Sequence, residues 1–398
     1  MISQRKIAEK LGMPLSTVAN ILNGTPSYKK ETRDRVFKAA AELGYQRNRA
    51  SLAIRRGRSN LIGLIHFGSS YETAHRGICF LIEALRTYGY DHVVMDQRWH
   101  AGKVQGMLNE MIQARVEGVI LIGNGAGEEA FSPDSLATFE RAGVPVVSLF
   151  GDDYLDLPLV GDGAKSSFHA MARHLQSVGH RCILLPASPA DERSAVGRIE
   201  GLRQAMEDRG SFYILDELAF FRQWPAILTE HRGEHLGLVV RLNARRVYSQ
   251  EDFIKIYGEF SRKLFAQSEL PDAIMCANDR AACSVFDAAY ESDIRIPRDV
   301  AVVGADDDSI GRLSMFRLTT VRMDIARSSK ATVEMLMECL KNGKAENREV
   351  FFPSKLVLRQ SCGRQIAPDG EKELVVRIQD LPEQEPVEGA TRPKKTGR

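Results

Sequence analysis

Residues 3–23, SQRKIAEKLGMPLSTVANILN, decide how the chain begins: two short amphipathic helices separated by a glycine turn. In the first half Ile7, Ala8 and Leu11 recur at helical spacing, Ser3 stands where an N-cap is expected, and Gly12 supplies the turn. Pro14 suits a first helical position, where its missing N–H would be unpaired in any case. In the second half Val18, Ile21 and Leu22 share an inward face, which leaves Leu15, Ser16, Thr17 and Asn20 outward. That arrangement lays a helix into the major groove of DNA. Two helices and a turn also occur inside ordinary helical cores, so the pattern alone leaves both readings open.

Charge separates them. Residues 1–60 hold 13 Lys and Arg against 4 Asp and Glu, whereas the rest of the 398-residue chain holds 41 against 48. The overall +2 therefore hides a strongly basic head on a mildly acidic body. Phosphate neutralisation requires such a head, because each contacted phosphate releases a condensed counterion. A third helix, KETRDRVFKAAAELGY, places Val36, Phe37, Ala40 and Leu43 on one face and ends at Gly44. The basic stretch QRNRASLAIRRGRSN, with Leu52, Ala53 and Ile54 at its centre, then reads as a linker with helical potential.

Six stretches in one order carry a resemblance: STVANILN (16–23), ETRDRV with ELGY (31–45), RRGRSNLIGLI (55–65), PDAIMCANDRAA (271–282), IPRDVAVVGADDD (296–308) and LTTVRMD (318–324). With these, the chain resembles the LacI/GalR family of bacterial transcription regulators, over residues 3 to about 364. The resemblance implies that the second helix reads operator bases and that two subunits pair to read a palindrome. By position, Leu15, Ser16 and Asn20 would reach base edges and Thr17 a phosphate, with Asn23, Thr32 and Asn48 also at the DNA. Relatives commonly have Ser, Arg, Val where this chain has Ala19, Asn20, Ile21, so a long guanine reader is replaced by a shorter amide that favours adenine. Where relatives begin the linker with Tyr, Arg, Pro, Asn, this chain has Tyr45, Gln46, Arg47, Asn48, so the Pro is absent. In the family an apolar side chain of this linker wedges into the minor groove. Here the position is Ile54, with Leu52 the competing candidate and packing against a partner subunit the alternative for both.

The body alternates strands and helices. Apolar runs LIGLIHF, HVVMD, VEGVILIG, VPVVSLF, RCILLPA, LGLVVRL, AIMCAN and VAVVGA are separated by helix-length stretches such as 101–115, 164–178 and 194–209. That rhythm implies parallel sheets covered on both faces. The resemblance adds two lobes of the periplasmic-binding-protein type, crossed three times by the chain, around an effector cleft. Ligands of such sheets sit at the carboxyl ends of strands. By position Asp162, Arg198, Asn278 and Asp306 match cleft-lining residues, and carboxylates, an amide and a guanidinium suit a hydroxyl-rich ligand such as a sugar. Helix caps and turns are the alternative for Asn278, Asp279 and the aspartates at 306–308. Phe67 and Trp224 are candidates for an apolar wall or for core, and the stretch 216–258 is longer than relatives usually carry.

Other signals are weak. Gly125, Gly127 and Ala130 follow a strand as G-x-G-x-x-A, without the acidic residue a dinucleotide site needs. His231, Glu234 and His235 spell H-x-x-E-H, but Gly233 interrupts the helix that would present both histidines, so a charged surface turn is expected. An aspartate run at 306–308 suggests a cation site or, more simply, a turn. Six cysteines without C-x-x-C spacing read as reduced, buried thiols of a cytoplasmic protein. Residues 1–20 lack the apolar core of a signal peptide, which argues against a free periplasmic solute-binding protein, and no nucleophile and base pair supports an enzyme in the cleft. The expectation is a helix-turn-helix headpiece at 1–46, a hinge linker at 47–59, a two-lobed α/β effector-binding and dimerisation domain at 60–364 and a disordered tail at 365–398. Its expected partners are double-stranded operator DNA, a small effector of carbohydrate type and a second copy of itself, with no cofactor, metal or membrane.

Overall fold

The computed structural model describes residues 3–22, 27–45, 58–66, 72–96, 103–123, 133–150, 156–161, 163–187, 192–207, 209–243, 250–313, 315–343, 349–363 and 373–378. The linker candidates Asn48, Leu52 and Ile54, together with Asn23, Phe67, Asp162 and the glycine pattern at 125–130, lie outside them. The chain divides into two compact units, residues 1–59 and 60–398.

In the first unit α1 (Gln4–Leu11), α2 (Leu15–Leu22) and α3 (Lys30–Glu42) close a small core of Ile7, Ala8, Val18, Ile21, Leu22, Val36, Ala39 and Ala40. Gly12 stops α1 with φ 61°, a left-handed conformation that a Cβ disfavours, and lets the Met13 N–H reach back to the Ala8 carbonyl at 3.0 Å. Two local expectations shift. Pro14 sits just outside α2, where its carbonyl accepts the first helical bond from the Val18 N–H at 3.1 Å. Phe37 is 48 % exposed and Ala39 takes the inward place instead, because the buried stripe of α3 runs through 36, 39, 40 and 43. Ser3 occupies the N-cap position in extended conformation, but its hydroxyl caps no amide.

The second unit is built from two parallel sheets. β1 (Leu61–His66), β2 (Asp91–Asp96), β3 (Gly118–Ile122), β4 (Val146–Leu149), β5 (Leu159–Gly161) and β12 (Glu349–Phe351) form one, in the order β12-β5-β4-β3-β1-β2. β6 (Cys182–Ala187), β7 (Gly210–Asp216), β8 (His235–Arg241), β9 (Ala273–Met275) and β10 (Ala301–Val303) form the other, in the order β10-β9-β6-β8-β7. The apolar runs explain why both are covered on two faces. Leu184, Leu238 and Val240 enter one core while their neighbours Ile183, Leu185 and Val239 enter another; Ile62 and Leu64 part from Ile65 in the same way. The helices of the first lobe are α4 (Glu72–Thr87), α5 (Lys103–Gln113), α6 (Pro133–Arg141) and α12 (Ile325–Asn342). Those of the second are α7 (Ala164–Ser177), α8 (Glu192–Met206), α9 (Glu217–Glu230), α10 (Gln250–Phe265) and α11 (Asp279–Glu291).

The chain crosses between lobes three times: after β5, before α12, and between β12 and β13 (Lys355–Leu358). β13 belongs to a third, antiparallel sheet with β11 (Thr320–Arg322) and β14 (Leu374–Arg377). β14 corrects the expectation of a disordered tail for residues 373–378. Leu374, Val376 and Ile378 pack on the second-lobe core and the strand pairs in register with Lys355 to Leu358, an alternation of only four residues that a composition-based reading passes over. Strand β7 (Gly210–Asp216) lies at the sheet edge, and its apolar run Phe212–Leu215 is half-buried or exposed throughout, so it is not among the runs singled out from the residues. Trp224 is core: it is 1 % exposed, packs on Phe220, and donates its indole N–H to the Glu269 carbonyl at 3.0 Å.

Candidate nucleic-acid interface and lobe junction

Helix α2 divides cleanly. Val18, Ile21 and Leu22 are buried, while Leu15, Ser16 and Asn20 are exposed and Thr17 is half-buried. The outward residues are the ones the spacing selects for base edges and a phosphate. Thr32 lies half-buried in the first turn of α3. The Asn20 Nδ2 donates to the Tyr28 hydroxyl at 3.2 Å, a contact with no sequence signal of its own. Lys10 and Glu42, 2.6 Å apart, tie α1 to α3, and the Lys10 ammonium holds the Glu42 carboxyl below its usual range.

In the second unit two of the predicted residues, Asn278 and Asp306, follow the carboxyl ends of strands in the second sheet. Asn278 ends the β9 segment and Asp306 the β10 segment, and β9 and β10 are neighbours in the sheet. The alternative reading applies to the Asn278 oxygen, which caps α11 by accepting from the Ala281 N–H at 2.9 Å. Arg198 lies on α8, which follows the adjacent β6, with its guanidinium 5.8 Å from the Phe168 ring centroid. Asp306 and Asp307 have φ of 102° and 51°, sparsely populated for side chains with a Cβ.

The run after Asp306 is where the structure exceeds the sequence reading. Asp307 is fully buried and binds three guanidinium groups: Arg322 at 2.6 Å and Arg312 at 2.7 Å on Oδ2, and Arg359 at 2.7 Å on Oδ1. Arg359, itself 3 % exposed, also donates to the Leu318 carbonyl at 2.7 Å and to Glu373, just before β14, at 2.8 Å. Burial lowers the Arg359 pKa, and Asp307 and Glu373 together outweigh it, so the guanidinium stays charged. Asp279, also fully buried, accepts from Thr320 Oγ1 at 2.5 Å and from the Asp308 N–H at 2.8 Å; burial pushes its carboxyl well above the usual carboxylate range. A Cβ at Gly304 would run into the Asp279 carboxylate, so only glycine fits beside it. Asp307 and the Asp308 backbone therefore serve as structural anchors of this turn. Among the described residues no group of His, Cys, Asp and Glu is placed to hold a metal ion.

The same turn meets the other lobe. The Ser309 N–H donates to Glu72 at 2.8 Å and Thr73 Oγ1 to Asp308 at 3.4 Å, both from the first turn of α4. Ser309 holds the Glu72 carboxyl below its ordinary value, so this contact is fully present above about pH 4.5 and is lost as pH falls through the depressed pKa. Acid titration of the native chain against Glu72→Gln should show a stability difference at neutral pH that vanishes in strong acid; a difference independent of pH would contradict it. On the first lobe His66, 1 % exposed at the end of β1, lies 3.6 Å from Asp96 at the end of β2.

The H-x-x-E-H stretch is a turn. His231 ends α9 and bonds Tyr213 at 2.8 Å and Glu234 at 3.1 Å, whereas His235 begins β8. All six cysteines are free; five are buried, and Cys79 on α4 is exposed. No helix among the described residues is long and apolar enough to cross a membrane.

A helix-turn-helix head and a body of two crossed parallel α/β lobes define a DNA-binding transcriptional regulator. Comparison with known proteins agrees: residues 5–48 match the family described as bacterial regulatory proteins, lacI family. Residues 76–217 match the periplasmic binding proteins and sugar binding domain of the LacI family, and residues 221–362 a periplasmic binding protein-like domain. The chain belongs to the LacI family. It is 23 % identical to the HTH-type transcriptional repressor PurR of Glaesserella parasuis serovar 5 (strain SH0165), over 89 % of this chain and 95 % of that protein. In fold it is similar to the lac repressor dimer bound to operator and the anti-inducer ONPF, with TM-score 0.70, 21 % identity and coverage of 91 % and 99 %. It is also similar to the transcriptional regulator CelR in complex with cellobiose, with TM-score 0.58, 20 % identity and coverage of 91 % and 100 %. These relatives are regulators, not enzymes.

Proposed function

We propose that the chain is a ligand-responsive repressor that binds a palindromic operator as a homodimer. The observation that carries the reading is the face of α2, which exposes Leu15, Ser16 and Asn20 on a head with 13 Lys and Arg against 4 Asp and Glu. Thr17 would take a phosphate, Asn23 and Thr32 would also lie at the DNA, and Asn48 with Leu52 or Ile54 would form the hinge that enters the minor groove. Pairing is supported by the dimer that the lac repressor forms on its operator. The effector would sit against Asp162, Arg198, Asn278 and Asp306. A hydroxyl-rich molecule, a sugar or sugar derivative, suits these groups, and the complex of a similar regulator with cellobiose supports that class. Effector occupancy and DNA affinity would then be linked by one coupling free energy.

Selection from random duplexes should recover two inverted half-sites, and an asymmetric or absent consensus would overturn the paired-head reading. Among sugars and sugar acids that raise the melting temperature of the chain, one should also change operator affinity. Asp306→Ala should abolish that response and leave DNA affinity within about threefold. If both are lost together, Asp306 is structural.

A further inference from the structure

The hydrogen bond from Asn20 Nδ2 to the Tyr28 hydroxyl joins the exposed face of α2 to a residue whose ring leans on the head core from the segment before α3. A carboxamide has one acceptor oxygen and two N–H donors. In the major groove adenine presents an acceptor, N7, beside a donor, N6–H; guanine presents two acceptors, N7 and O6. Which of these a short amide prefers depends on how it is turned. We propose that Tyr28 is a positioning residue that sets the base preference of Asn20. With one N–H held by Tyr28, Asn20 offers Oδ1 and its remaining N–H side by side, the pair that matches adenine. Guanine would bring its O6 against Oδ1, acceptor against acceptor. Without the hydroxyl, the amide is free to turn both N–H groups toward guanine, and the preference relaxes.

This inference rests on α2 being the reading helix, and its test separates the two claims. Binding of the full-length chain is measured on selected duplexes that carry A·T or G·C at each half-site position in turn, for the native protein, Asn20→Ala, Tyr28→Phe and Tyr28→Leu. The native chain should favour adenine over guanine by about tenfold or more at one position. Tyr28→Phe keeps the ring in the core and should reduce that ratio to about threefold or less, with its best site bound within about threefold of native. Tyr28→Leu, a second side chain without the hydroxyl, should show the same loss of preference even where it lowers stability. If Asn20→Ala erases the preference and both Tyr28 variants retain it, Tyr28 does not position the amide. A uniform loss at all positions with the ratio intact overturns the inference as well. If Asn20→Ala changes no base preference, the reading of α2 itself fails.

Discussion

Asp307→Ala is expected to destabilise the second unit by about 3–5 kcal/mol, because it leaves a buried guanidinium without its principal counter-charge. Asp307 is fully buried, and of its three arginine partners Arg359 is the one whose side chain is 4 % exposed, whereas those of Arg312 and Arg322 are 51 % and 29 % exposed. Removing the carboxylate therefore strands Arg359, which keeps the Leu318 carbonyl and Glu373 but loses the group that neutralises it from the core side. Against a total stability of roughly 5–15 kcal/mol such a loss decides how much protein is folded at 37 °C. Urea denaturation followed by the fluorescence of Trp224, buried in the same lobe, measures it. The double variant with Arg359→Met should lose less than the two single losses added together, since the second change removes the stranded charge. Additive losses would show that the pair is not coupled.

A chain ending at residue 363 should be less stable than one ending at 378 by about 3–5 kcal/mol. The fifteen residues between supply Glu373, which bonds Arg359 at 2.8 Å and faces Arg322 at 3.6 Å, and strand β14, which pairs along Lys355–Leu358. Leu374, Val376 and Ile378 also cover the second-lobe core, and even partial burial of three aliphatic side chains contributes about 1 kcal/mol apiece. Comparing these two endpoints isolates the strand from the residues beyond it. Equal denaturation midpoints would mean that β14 adds nothing to the lobe and that Arg359 is held without Glu373.

The large periodic features could be read directly from the residues. Runs such as RCILLPA and LGLVVRL are short, apolar and repeated between helix-length stretches, the pattern of doubly covered strands, and they appear as β6 and β8. Helix stretches expected at 164–178 and 194–209 appear at Ala164–Ser177 and Glu192–Met206. The inward and outward faces of α2 followed from 3.6-residue spacing alone. What spacing cannot give is long-range pairing. Asp307 looks like one of three equivalent aspartates until Arg359, 52 positions later, and Glu373 beyond it close around its carboxylate. Asn278 shows the same limit: its cap on Ala281 is a local signal that the residues do carry, while its place beside Asp306 comes from the adjacency of β9 and β10. Tyr28 lies eight residues from Asn20, and nothing in the letters says that its hydroxyl points there.

Titrating the full-length chain against its selected duplex and a scrambled one, over a series of salt concentrations, tests the central claim most directly. A head that grips phosphates with its cationic residues and reads bases with α2 predicts selective binding by about a thousandfold or more, with log affinity falling linearly and steeply as log salt rises. Equal affinity for both duplexes, or affinity indifferent to salt, would contradict it.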